Sequence, residues 1–172
     1  EAEDPALEGL DAMGMRKHLV GTGLKPAMIE GRVRRVLADR QMRATFAAIE
    51  AAGGTLDYRA VDVRDSDAVG ALMESVYTEH GRIDWVIHGA GVNEDKLFRD
   101  KTPESFARVV DTKVIGAQQL LAHLRDDVRG VVFFSSIAGA FGNRGQTDYA
   151  AANATLDALA HQLDSRIDGR AV

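Results

Sequence analysis

Phe133-Phe134-Ser135-Ser136, followed after a glycine-rich stretch by Tyr149-Ala150-Ala151-Ala152-Asn153, is the part of the sequence that decides the fold. An apolar run ending in paired serines reads as a buried strand that delivers a hydroxyl to the carboxyl edge of a sheet. In open α/β sheets, ligands bind at that edge. Tyr149 lies near the start of the next helix, and Asn153, four residues on, shares its helix face. Two hydroxyls at one sheet edge are placed to polarise a single carbonyl oxygen, which points to carbonyl–alcohol redox chemistry.

Strands and helices alternate around this stretch. Residues 130–135 read as the strand, 147–165 as the helix after it, and about 102–124 as the helix before it. Upstream are a strand at 83–88 ending in Gly89-Ala90-Gly91, a helix capped by Ser66 or Asp67, and a strand at 55–61. The alternation predicts an α/β fold, a Rossmann-like parallel sheet with helices on both faces. Residues 5–20 and 26–52 read as helices, the second opened by Pro26 and stopped by Gly53-Gly54. A chain of 172 residues fits one domain, with a helical segment over 1–52 and βα units over 53–172.

Composition narrows the function classes. A net charge of −5 argues against an electrostatic nucleic-acid binder. No apolar run approaches the roughly 20 residues of a membrane span. The absence of cysteine excludes thiolate metal sites and disulfides and is compatible with a cytoplasmic protein. The five histidines show no close ligand spacing, so no metal site is expected. Arginines on the second helix (Arg32, Arg34, Arg35, Arg40, Arg43) read as a solvated face, with phosphate binding as the alternative. Gly21-Thr22-Gly23 imitates a dinucleotide fingerprint but lacks the preceding strand and the third glycine, and Pro26 removes an amide that would face phosphate.

A free tyrosine titrates near ~10, so acid–base work near neutrality needs a cation close by. Lys113 falls on the apolar stripe of helix 102–124, with Phe106, Val110, Ala117 and Leu120. Lysine is rarely buried without a purpose, although its stem also lets it snorkel past a helix edge. Gly89, Ala90 and Gly91 remove bulk where a flat ligand would approach. Asp62 either accepts a hydrogen bond from an adenine amino group or closes an Asx turn. Ser136 is either a carbonyl-polarising hydroxyl or a turn cap.

Together these motifs resemble the ketoreductase domains of modular polyketide and polyunsaturated fatty acid synthases, within the short-chain dehydrogenase/reductase superfamily. The resemblance rests on Tyr58-Arg59-Ala60-Val61-Asp62-Val63-Arg64-Asp65, the run from Asp84 to Val92, Asp111-Thr112-Lys113-Val114, the run from Phe134 to Gly139, and the run from Gly145 to Asn153. Most of that superfamily carries lysine where this chain has Asn153. The resemblance implies that lysine and asparagine have exchanged places, with Lys113 taking the lysine's role. It implies that Tyr149 donates the proton, Ser136 orients the carbonyl, Lys113 stabilises the phenolate and holds the nicotinamide ribose, and Asn153 supports the proton relay. Asp62 and Val63 would flank the adenine of NADPH, and Gly89, Ala90 and Gly91 would pack on the cofactor.

The implied substrate is a β-ketoacyl group on an acyl carrier protein. A free-standing reductase of a small ketone and a non-catalytic structural module are the alternatives. Asn93-Glu94-Asp95 stands where one stereochemical class has Leu-Asp-Asp, and Phe141 where the other has tryptophan, so the reading leans to the aspartate class. The resemblance also implies an incomplete sheet, with the first βαβ unit ahead of residue 1 and a further strand opening at Gly169-Arg170-Ala171-Val172. Unpaired strand edges then predict rearrangement or homo-oligomerisation, and weak cofactor binding by this chain alone.

Overall fold

The computed structural model describes residues 3–164. The chain divides into two compact units, one running up to Arg59 and the other starting at Ala60.

The first unit is a helical pair, α1 (Ala12–Val20) and α2 (Pro26–Ala51). The expected helix over 5–20 begins only at Ala12. Gly9 adopts φ +70°, which ends the preceding turn, and Asp11 then caps α1 by accepting the Gly14 N–H at 2.7 Å. The two helices close over Leu7, Met15, Leu19, Ile29, Val33 and Val36. Three of the α2 arginines, Arg32, Arg40 and Arg43, engage carboxylates and carbonyls of their own unit. Arg32 pairs with Asp4, and Arg40 binds Glu3 together with the carbonyls of Leu7 and Leu10. Arg34 and Arg35 are exposed, as the solvated reading of that face expects, whereas Arg40 is drawn into a partly buried pair.

The second unit holds a two-stranded parallel sheet, β1 (Trp85–His88) beside β2 (Gly130–Phe133), paired from Trp85↔Gly130 to His88↔Phe133. Helices α3 (Ser66–His80), α4 (Pro103–Ala122), the short α5 (Ile137–Phe141) and α6 (Thr147–Asp164) surround it. Val86, Val131 and Phe133 pack with Ala117 of α4 and with Leu156 and Leu163 of α6. On β1 the alternate positions Trp85 and Ile87 are 57% and 63% exposed, so the strand's other face is open.

The expected strand over 55–61 does not form. Within the described residues this segment joins no sheet, and a strand exists only where a neighbour exchanges backbone hydrogen bonds with it. Its charges pair locally instead, Arg59 with Asp57 at 2.6 Å. Caps elsewhere set the boundaries: Asp65, rather than Ser66 or Asp67, caps α3, and Thr102 caps α4 ahead of Pro103. The strand anticipated at Gly169-Arg170-Ala171-Val172 lies outside the described residues.

Candidate active site

Helix α4 places Lys113. Its most buried positions are Ser105, Val109, Lys113, Gly116 and Ala117, so the seam runs one residue earlier than the Phe106–Val110 stripe and still includes the lysine. Lys113 is 4% exposed, and its ammonium donates to the Phe134 carbonyl at 2.9 Å. Burial pushes this amine below the usual lysine range. Nζ also sits 5.5 Å from the centroid of the Tyr149 ring.

Helix α6 places Tyr149 and Asn153. The Asn153 amide donates to the Tyr149 carbonyl at 2.7 Å, one helical turn back. That bond fixes the amide orientation, because the reverse would set two oxygens against each other. Oδ1 is thereby left buried with no hydrogen-bond partner among the described residues. Leaving such an acceptor unmet costs roughly 1–3 kcal/mol, so it marks a place where a water or ligand hydrogen belongs.

Ser136 follows β2 and caps α5, its Oγ accepting the Ala138 N–H at 3.2 Å. The cap uses a lone pair and leaves the hydroxyl hydrogen able to point elsewhere. Ser136 and Tyr149 line one cavity of about 610 Å³, together with Asn93, Phe141 and Gln146. Ser135, the other serine of the pair, donates to the Asn153 carbonyl at 3.3 Å and ties β2 to α6. Gly139 lets α5 approach α6 closely, since a Cβ there would fall 2.9 Å from the Ala154 nitrogen.

The glycine-rich turn after β1 lies against the same lysine. A Cβ at Gly91 would stand 3.2 Å from Lys113 Cε, and one at Gly89 would stand 3.1 Å from the Phe134 ring. Ala90 between them is half-buried. Val63 reaches α4 at Gly116, where any side chain would collide with its Cγ2. Asp62 is not drawn into the cluster. Its carboxylate accepts from the Arg64 side chain and the Arg64 N–H, which is the Asx-turn arrangement, and the guanidinium holds it down to about 2. The structure therefore gathers Lys113, Tyr149, Asn153, Ser136, Gly89, Ala90, Gly91 and Val63 around the carboxyl ends of β1 and β2.

Three contributors were not evident from spacing. His88 is 2% exposed, and its Nε2 lies 2.9 Å from the Lys113 carbonyl. Burial pushes its imidazole below the usual histidine range, and the carbonyl acceptor makes Nε2 the donor. Glu94 receives a bidentate Arg108 and the Ser105 hydroxyl, and Arg108 first among these holds its carboxyl down to about 2. Lys101 and Asp148 form a buried ion pair. Only the burial of His88 at a strand end had a trace in the sequence. The other contacts join residues well separated along the chain, Ser105 and Glu94 by 11 positions and Arg108 and Glu94 by 14. Among the described residues no helix is long and apolar enough to cross a membrane, and no group of three or more acidic or histidine side chains is placed to hold a metal ion.

A nicotinamide cofactor fits what surrounds Lys113. Gly89 and Gly91 beside it are exposed, and the ammonium has more donors than the Phe134 carbonyl uses.

Comparison with known proteins follows the same lines. The KR domain family matches residues 7–169. A polyunsaturated fatty acid synthase chain of Thraustochytrium sp. is 38% identical over 154 residues, covering 87% of this chain and 6% of that protein. Polyketide synthase GfsB of Streptomyces halstedii is 43% identical over 146 residues, covering 83% of this chain and 3% of that protein. The chain thus spans a small part of the curated relatives it matches. A ketoreductase domain from the bacillaene assembly line superposes with a TM-score of 0.69 at 37% identity, over 72% of this chain and 30% of that one. A short-chain dehydrogenase from Streptomyces avermitilis shares the fold, with a TM-score of 0.66 at 23% identity over 75% of this chain and 49% of that one. With a match that runs through Lys113, Ser136, Tyr149 and Asn153, the chain belongs to the KR domain family, ketoreductases of the Rossmann-like short-chain dehydrogenase/reductase fold.

Proposed function

We propose that the chain carries the reaction centre of an NADPH-dependent reductase that converts a β-ketoacyl thioester, presented on an acyl carrier protein, into the β-hydroxyacyl thioester. The observation that carries this reading is the buried Lys113 ammonium beside the Tyr149 ring, next to a cavity that also holds the Ser136 hydroxyl. The bound cofactor supplies hydride, which no side chain can provide.

The residues supply the rest. Ser136 donates a hydrogen bond to the substrate carbonyl oxygen and fixes its direction. Tyr149 Oη gives its proton to that oxygen as negative charge develops there, so one C–H and one O–H bond form while the C=O double bond becomes single. The phenolate left behind is stabilised by the neighbouring ammonium, which cannot disperse its charge into solvent. Solvent returns the proton to the phenolate, and the unmet Asn153 Oδ1 accepts a hydrogen bond from a water on that path. Lys113 also holds the cofactor's ribose, Gly89, Ala90 and Gly91 pack against it, and Asp62 and Val63 flank its adenine, which requires the Asp62 carboxylate to turn away from Arg64.

The test is NADPH oxidation by the intact protein with an N-acetylcysteamine β-ketoacyl thioester. Tyr149→Phe is expected to lose turnover by about 10²–10⁴-fold while retaining cofactor binding. Undiminished turnover by that variant contradicts the mechanism.

A further inference from the structure

Two charges beside the Tyr149 helix take no part in the steps above. The Lys101 side chain is 4% exposed and that of Asp148 is 1% exposed. Lys101 ends the loop that follows β1, whereas Asp148 lies in the first turn of α6, and their charged ends are in contact. Each is also tied to backbone. Asp148 Oδ1 accepts the Tyr149 N–H at 2.9 Å, and Lys101 Nζ donates to the Glu94 carbonyl. Asp148 Oδ2 has no well-directed hydrogen bond among the described residues, so Lys101 meets it as a charge.

Removing two ions from water can cost as much as their attraction returns, and replacing a buried ion pair by apolar residues is often neutral. What an ion pair adds is a fixed register between two segments. The same seam is held at two further points, by the Lys96 N–H on the Gly145 carbonyl and the Gln146 amide on Asp95, both at 2.9 Å. Glu94, whose carbonyl Lys101 grips, is itself anchored to α4 by Arg108 and Ser105. A continuous set of polar contacts therefore leads from α4 through the loop to the backbone nitrogen of Tyr149.

We propose that Lys101 and Asp148 are positioning residues, whose buried ion pair locks the 93–101 loop to the start of α6 and holds Tyr149 in register with the cavity it shares with Asn93 and Ser136. The inference rests on Tyr149 being the proton donor.

The variants are made in the intact protein. Lys101→Met strands the Asp148 carboxylate. Lys101→Met/Asp148→Asn removes both charges while Asn still offers an oxygen to the Tyr149 N–H. Lys101→Arg keeps the charge. The double variant is expected to regain the wild-type melting temperature but to keep a kcat lower by about 10- to 100-fold, with KM unchanged. Lys101→Arg recovers most of the turnover. A double variant with wild-type kcat would show that the pair only stabilises the fold, and would overturn the proposal. Hydrogen exchange at the Tyr149 amide, resolved by fragmentation mass spectrometry, tests the lock without turnover. Faster exchange in the double variant supports it, and unchanged exchange overturns it. If the wild-type protein oxidises no NADPH, the reductase reading fails while the exchange result still decides the lock.

Discussion

Helix α2 and the surroundings of Tyr149 are both rich in charge and handle it in opposite ways. On α2 two of the pairs are half in water, Arg16 and Glu30 at 46% and 47% exposed and Arg32 and Asp4 at 47% and 36%, and even the more sheltered Arg40 and Glu3 keep 29% and 14% exposure. Around Tyr149, Lys101, Asp148 and Lys113 are all within 4% of complete burial. Exposed pairs are screened, and they lose side-chain freedom on forming, so their net contribution is small. In the Lys101–Asp148 pair neither charge can be removed singly without leaving the other buried and uncompensated. Number and spacing of charges do not separate the two regions. Access to water does, and the buried set is the one that gathers at the carboxyl edge of the sheet.

The comparison breaks or holds on stability first. Lys101→Met, which leaves Asp148 buried without its cation, is expected to cost roughly 3–5 kcal/mol in a denaturant titration. Arg32→Met is expected to leave the midpoint where it was. Equal losses from the two variants would erase the distinction.

A smaller effect involves pH. The His88 imidazole is held below its usual value of 6.5 by burial, so the unfolded chain binds more protons in that range. Stability from His88 is complete above about pH 6.5 and declines as the pH falls below that value. Melting temperatures measured downward from neutrality should fall, and the fall should be weaker in His88→Gln. The smallest effect belongs to Glu94, which is partly in water. Its carboxyl lies at about 2 in the fold against 4.5 in the ordinary state, so its contribution is present above about 4.5 and is lost as the pH approaches 2. Glu94→Gln should flatten acid unfolding within that window by lowering stability near neutrality while leaving stability near pH 2 little changed.

Much of this was legible in the sequence because local rules govern it. Pro26 opens α2, Thr102-Pro103 opens α4, the apolar run 130–133 makes β2, and the Tyr149–Asn153 spacing fixes a shared helix face. Lys113 was legible from periodicity, even though the buried seam runs through Val109 rather than Val110. Residues 55–61 have a strand-like composition but no neighbour among the described residues with which to form a ladder, and pairing is not a local property. Asp62 illustrates the same limit: its partner stands two residues away, and the two available readings differed only in where its carboxylate turns. The Lys101–Asp148 pair joins positions 47 apart, as their numbers show, and nothing in the spacing of either residue marks it as buried.

The central claim is that a buried ammonium beside Tyr149 makes it a proton donor. The most direct measurement compares Lys113→Met with wild type in NADPH oxidation by the intact protein, with melting curves taken in parallel. Methionine fills the lysine's space without its charge. Turnover is expected to fall by about 10²–10⁴-fold with no loss of melting temperature. Wild-type turnover in Lys113→Met would contradict the account.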